Sequence, residues 1–395
     1  MKVATWAEIN AVIKNRRFAL FGAGEWSAKA SLYLNGSPSY IFDNNPNMWG
    51  AQQEGVNIVR FDPLQHIGLF IIVTSSGYDE IAFQLQGNGW SASEDFVISP
   101  HFEVHINSNQ LNQLAGDLYF SSSDQSLGLG GIYKLDLFTG EVRHIYRGIC
   151  HGFVIQSDHI VATDDVHGLV KVSLQDGTSS VLFQPEKSSR MHGLDYCSER
   201  EQYALALSGQ DRILILDKVF QTVDKLSISD KFILTGSAQH HVNDVAFSSF
   251  GIVASCFSLT GNWKAGIFDG SILEWNSSNP DQPALMFSNL YMPHSPRYLN
   301  DSFYFLDSGR SKLVSGSLGN VMTVPGFVRG LDFRQGFVAV GVSRLRYLSR
   351  RIRSDVPTLM NSGIVILDLS NSLMRFYDVK LVSDINTIRF PRVDA

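Results

Sequence analysis

Cysteine is scarce. Cys150, Cys197 and Cys256 are the three in 395 residues, far apart and without a CxxC pair. An odd, dispersed set argues against a disulfide framework and for a reducing compartment. Positive charge is not in excess either. The formal net charge is −6 at pH 7, which argues against a nucleic-acid partner, because such proteins carry a basic face. The local exception is the cluster Arg344, Arg346, Arg350, Arg351 and Arg353. No apolar run approaches the length that spans a bilayer. The first residues, MKVATWAEINAVIKNRRFALFGAG, contain no apolar segment followed by a small-residue cleavage site. These absences predict a cytoplasmic protein that binds neither nucleic acid nor membrane.

A hydrophobic fraction of 44% and 33 glycines are present, enough for a large core and many tight turns. The pattern divides the chain. In residues 1–100 a strand at 17–21 (RFALF) runs into Gly22-Ala23-Gly24-Glu25-Trp26-Ser27. Helical spacing follows to about residue 34, and a second strand at 40–42 ends at Asp43. Further strands at 69–73 and 96–98 flank a helix at 79–86. This order predicts an α/β, Rossmann-like domain of nucleotide-binding type with a parallel sheet. Gly22 and Gly24 would let the backbone approach a phosphate, Ser27 replaces the third glycine, and Asp43 would accept a ribose hydroxyl of a nucleotide or NAD-like ligand. The alternative is a tight strand–helix turn with no ligand. Residues 101–115 (HFEVHINSNQLNQLA) form a polar junction in which His101 and His105 alternate as in a strand.

The runs FGAGEWSAKASLYL, IFDNNPNMWG and FIIVTSSGYDEIAFQL resemble the small Rossmann-type domain of bacterial sugar C-methyltransferases and nucleotide-sugar acyltransferases. The resemblance implies a nucleotide-sugar or NAD-like ligand near Gly22, Gly24 and Asp43. No catalytic motif of those enzymes is recognisable, so it implies no activity.

Residues 116–395 read as all-β, with short strands at regular spacing. One outline recurs, beginning at His151 (HGFVI), His192 (HGLDY), His241 (HVNDVAF), His294 (HSPRYL), Arg329 (RGLDF) and Asn386 (NTIRF). Each start is taken as the inner strand of one blade, which predicts a six-bladed β-propeller. The last blade would combine the C-terminal strand with strands near residues 118–122 and 131–137, so that closure removes the exposed sheet edges. The motifs QHHVNDVAF, SCFSLTGNWK and GFVRGLDF resemble an uncharacterised bacterial family with a propeller fold, a likeness that carries no activity.

In that geometry His151, His192, His241 and His294 ring the mouth of the central channel. Two readings stand. The histidines are ligands of a divalent metal (Fe, Mn or Zn), with Asp164 or Asp165 completing the shell, or they bond neighbouring blades or substrate. With Arg329 they are the candidate catalytic residues. Asn262, Trp263 and Lys264 form a candidate sugar or anion clamp, Arg297, Arg329 and Arg389 near the inner strands suit a carboxylate or phosphate or else pair with Asp195 or Asp332, and Arg346 is a further substrate-binding candidate. Cys150 is a thiolate candidate or a buried thiol. Loops 257–270 and 342–362 would cover the same face. The expected function is an enzyme acting on a sugar, nucleotide-sugar or similar small polar metabolite, or else a non-catalytic binding scaffold.

Overall fold

A computed structural model of the chain describes residues 3–186, 189–276, 278–299, 302–344, 359 and 361–391. The chain forms two compact units, Met1–Asn112 and Gln113–Ala395.

The first unit is built on six strands, β1 (Phe18–Phe21), β2 (Ile41–Phe42), β3 (Gln52–Gln53), β4 (Val56–Val59), β5 (Phe70–Val73) and β6 (Phe96–Ile98), in the order β3-β4-β2-β1-β5-β6. Apolar side chains on both faces of β1 and β5 are buried, against helix α1 (Trp6–Ile13) through Ile9 and Ile13, and against a helix over Tyr78–Gly87 through Ile81 and Leu85. The expected Rossmann-like domain is corrected here. The sheet is mixed, because β3 and β4 pair antiparallel across Glu54 and Gly55, whose φ angles of 52° and 80° make a tight hairpin. The helix after the glycine turn has only seven residues, Glu25–Ser31.

The supposed ligand groups are also engaged elsewhere. Asp43 Oδ2 accepts the Ala23 N–H at 2.7 Å and Oδ1 accepts that of Asn45, so the carboxylate closes the turn on itself. Ser27 is buried and donates to Gly24 O at 2.8 Å and to Gln53 Oε1 at 3.1 Å. A Cβ on Gly22 would lie 2.8 Å from Ser75 Cβ, so that glycine serves strand packing. Gly24 has open space around it and an ordinary φ of −102°. Residues 103–112, read as part of a strand-like junction, are helical (Glu103–Asn112).

The second unit is a six-bladed β-propeller of four-stranded antiparallel sheets. Blades 1 to 5 span residues 150–183, 191–227, 242–290, 293–323 and 327–378. Their inner strands are Cys150–Ile155, Met191–Cys197, Val242–Phe247, Pro293–Leu299 and Phe327–Arg334. Blade 6 joins Ile388–Arg389 to Asp117–Ser122, so the two ends of the unit meet in one sheet. Burial falls outward. The second strand Gly251–Cys256 is buried along its whole length and the other second strands along most of theirs, while the outer strand Thr222–Ser227 is largely exposed.

The recurring motif at the start of blades 1 to 5 is a β-bulge. The inner-strand ladders slip between Cys150 and Phe153, Met191 and Leu194, Val242 and Asp244, His294 and Arg297, and Arg329 and Leu331. A bulge re-aims the side chains beside it, and here those residues include His151, His192, His294 and Arg329. Thr163 Oγ1 accepts the freed His151 and Gly152 N–H groups at 3.2 and 2.9 Å. The glycine of the HG pair is required by crowding at the axis. A Cβ on Gly193 would stand 2.2 Å from Asp244 Oδ1 and 2.6 Å from Asp244 Cα in the next blade.

Gly193→Ala should therefore cost about 1–3 kcal/mol in a denaturant melt, as overpacking does. Gly24→Ser, at an unhindered helix N-cap, should stay within about 0.5 kcal/mol of the parent. Equal effects at the two positions would contradict this account of the axis.

Candidate functional site at the mouth of the propeller channel

At the end of the channel where the inner strands begin lies a cavity of about 300 Å³. His151, His192, His241 and Arg329 line it, as the sequence leads one to expect, and so does Trp263. Residues the sequence reading did not nominate complete it: Arg190, Phe257, Phe268, Tyr291, Phe327 and Asp384. Nothing local distinguishes these, since each is an ordinary residue beside a strand end. Arg344, part of the basic run and of the loop 342–362 expected over this face, also lines the cavity.

His241 precedes its strand, in the left-handed region with φ 56°. The conformation is set by Asp211, a buried carboxylate from the preceding blade. It accepts the backbone N–H groups of Gln239, His240 (2.9 Å) and His241 (2.7 Å). Three successive N–H groups gathered on one carboxylate fix the chain direction and separate the paired histidines. The His240 ring turns inward, donating from Nδ1 to Ser258 O at 2.9 Å and accepting Ser229 Oγ–H at Nε2, 2.7 Å away. It is a satisfied structural histidine. The His241 ring faces the cavity, against His192, Phe257 and Trp263 at centroid distances of 5.3, 4.4 and 4.7 Å. Its ring nitrogens have no hydrogen-bond partner among the described residues.

His192 Nδ1 donates to Asn243 Oδ1 at 2.9 Å, which leaves Nε2 as the bare nitrogen of the neutral ring. His151 stacks on His192 with centroids 4.2 Å apart and an interplanar angle of 14°, and its Nε2 lies 3.4 Å from Asp165. His294 is different. It is buried beneath Phe257 and Phe327, and its Nδ1 donates to Met292 O and Ser308 Oγ. It lines only a smaller cavity of about 20 Å³ below the first, with Asn243, Asn386 and Arg329, the size of one water.

The four histidines do not make a metal ring. Stacked imidazoles point their nitrogen lone pairs side by side, and His294 is spent on its own blade. Among the described residues no three His, Cys, Asp or Glu side chains are grouped to hold a metal ion. Asp164 accepts from the Tyr146 hydroxyl at 2.7 Å and sits beside His167. Asp244 accepts the Val245 and Ser295 N–H groups. Cys150 is fully buried, and burial together with Asp164 and Asp165 pushes its thiol well above the usual range, so it is no thiolate.

Of the clamp, Trp263 alone reaches the cavity. Asn262 turns its amide to Thr260, and Lys264 is exposed. Arg297 is buried deeper on its inner strand, donating to Val245 O and Pro296 O. Arg389 lies near Arg297, which with burial lowers its guanidinium to about 10, while Asp332, Asp195 and Asp244 oppose the shift. Arg346 and most of loop 342–362 lie outside the described residues.

Arg190, Arg329 and Arg344 bring positive charge to the mouth, and His192, His241 and His294 are held neutral. Burial first, then Arg329 and His151, hold His241 down to about 3 from 6.5. Burial, His151 and His241 hold His192 well below that value, and burial and Arg329 do the same to His294.

Residues 221–386 match the family described as "Domain of unknown function (DUF4915)". No curated protein matches the chain. Among solved structures, a chain of a nidogen/laminin complex aligns with a TM-score of 0.50 at 10% identity, over 69% of this chain and 96% of that one. Virginiamycin B lyase from Staphylococcus aureus aligns with a TM-score of 0.42 at 11% identity, over 68% and 90%. The calcium-binding protein regucalcin from Agrobacterium tumefaciens aligns at 0.42 and 12% identity, over 57% and 72%. The nidogen/laminin likeness is one of fold. No helix of the described residues is long and apolar enough to cross a membrane.

The depressed histidines set a pH dependence of stability. Below pH 6.5 the unfolded chain takes up protons that folded His192, His241 and His294 refuse, so the stability they allow above that pH is lost as pH falls. For His241 the loss runs from about 6.5 to about 3. The melting temperature should fall between pH 7 and pH 5, less steeply in His241→Gln than in the parent. Identical slopes for the two proteins would contradict the neutral, buried imidazole.

Proposed function

We propose that the channel mouth is the active site of an enzyme acting on a small polar metabolite, with His241 as the group that takes a proton from it. One observation carries the reading. An imidazole with open ring nitrogens is held over a cavity by a backbone in a sparsely populated conformation, and a buried carboxylate from another blade fixes that conformation. Strained, over-determined residues of this kind gather at functional sites.

The chemistry follows from the surroundings. A neutral imidazole is a proton acceptor across the physiological range. Accepting a proton creates an imidazolium that burial disfavours first and Arg329 second, and a bound ligand that brings negative charge to the mouth offsets the second. Substrate binding and proton acceptance are therefore linked, and the base becomes competent when the site is filled. His192, with its proton on Nδ1, offers Nε2 as an acceptor for a substrate hydroxyl. Arg329, steadied by Asn386 Oδ1 at 2.5 Å from its Nη1, is the candidate substrate-binding cation. A nucleotide-linked substrate is not part of the reading, because the turn at Gly22 and Gly24 offers it nothing.

The test is consumption of pooled hydroxylated and acidic metabolites by the purified protein, followed by mass spectrometry. His241→Gln should slow turnover by about 10²–10⁴, the usual contribution of a positioned base, with the fold intact by circular dichroism. Binding without turnover in the parent protein would favour the scaffold reading. Full activity in the variant would remove His241 from the mechanism.

A further inference from the structure

The inner strands keep a common level across the axis. Gly193 is crowded by Asp244, Ser295 N–H donates to Asp244 Oδ2, and Gly330 N–H donates to Ser295 Oγ, each contact made with the neighbouring blade. The residue before each of these, His192, Asn243, His294 and Arg329 in turn, lines the cavity of about 20 Å³ beneath the mouth. In blade 3 the residue at this level is thus Asn243, two places after His241, and the axis carries an amide between two imidazoles. Asn243 and His294 are each only 5% exposed. Asn243 Oδ1 accepts the His192 Nδ1–H at 2.9 Å, so Nδ2 carries the amide hydrogens, and that nitrogen has no hydrogen-bond partner among the described residues. His294 Nδ1 lies 2.9 Å from Met292 O, which can only accept, so the ring proton is on Nδ1. Its Nε2 is then a bare lone pair, and it too has no partner among the described residues. Buried polar atoms of this kind are almost always paired, with protein or with ordered water.

One donor and one acceptor on the same wall select a guest that both accepts and donates. An anion would meet the His294 lone pair and the Asp244 carboxylate, and a cation would meet the Asn243 amide hydrogens and the Arg329 guanidinium, all of which line this cavity. A neutral hydroxylic group suits both partners, and about 20 Å³ admits one water and nothing larger. We propose that the channel binds one structural water here, bonded to Asn243 Nδ2 and His294 Nε2, and that this water joins the inner strands of blades 3 and 4 across the axis. Asn243 is then engaged at both ends, by His192 and by the water, which carries the polar contacts of the mouth one level down the channel. The site does not depend on what the mouth above it does.

A crystal structure of the full chain tests the site directly. One peak of water height should lie about 2.7–3.2 Å from both Asn243 Nδ2 and His294 Nε2. No peak, or an ion identified there by anomalous scattering, would overturn the inference. A double-mutant cycle tests it in solution. Asn243→Leu and His294→Phe each leave the water with one partner, whereas the double variant removes both partners and releases it with nothing left unpaired on its account. The His192 bond lost in Asn243→Leu is lost in the double variant as well and cancels in the cycle. Among the described residues no hydrogen bond joins Asn243 to His294 directly, so coupling between them runs through the water. In denaturant melts the double variant should lose at least about threefold less in folding equilibrium constant than the product of the two single losses. Losses that simply multiply would contradict a shared water.

Discussion

Neighbouring inner strands approach so closely at the propeller axis that, where they cross, a side chain cannot fit. Gly152 would meet His192 O at 2.4 Å and Gly193 would meet Asp244 at 2.2 Å if either carried a Cβ. The chain answers this crowding with a bulge, and the bulge frees the residue before the glycine from the ladder. In blades 1 and 2 that residue is a histidine. Packing at the axis and placement of polar groups at the mouth are thus one constraint. In blade 3 no glycine follows the histidine pair, and Asp211 does the equivalent work by drawing three backbone N–H groups onto one carboxylate.

The electrostatics follow from the same geometry. Three inner strands bring His151, His192 and His241 within stacking distance of one another and close to Arg329. Each imidazole would raise the cost of charging the next, and the guanidinium adds to that cost. His192 and His241 stay neutral, so their bare nitrogens serve as hydrogen-bond acceptors and the positive charge at the mouth resides in the arginines. A ligand with negative charge relieves the repulsion, which makes the mouth receptive to acids and couples binding to proton uptake.

The propeller was legible because its repeats share a signature that physics imposes: an apolar second strand and a histidine or arginine at the start of the inner strand, followed by glycine in blades 1, 2 and 5. The N-terminal unit was misread for an equally physical reason. Gly22, Gly24 and a later acidic residue at the right spacing satisfy a dinucleotide fingerprint, yet Asp43 turns back to the Ala23 N–H, and a two-residue hairpin at Glu54 and Gly55 adds an antiparallel strand. Spacing does not reveal which way a carboxylate points. The site was legible in part. Histidines at blade starts converge by topology alone, but the choice of His241 over His240 depends on a residue thirty positions earlier. The aromatic residues of the cavity, Phe257, Tyr291 and Phe327 among them, come from separate stretches of the chain, and none stands out from the apolar background. Counting imidazoles says nothing of ring orientation, and among the described residues no three ligating side chains are grouped to hold a metal ion.

The protonation state of the two central imidazoles tests the account most directly. Nitrogen-15 spectra of selectively labelled histidine should show His192 and His241 neutral from pH 8 to pH 5, with His192 in its Nδ1–H tautomer. Protonation of either ring with a midpoint near 6.5 in the free protein would contradict the neutral cluster on which the proposed chemistry rests.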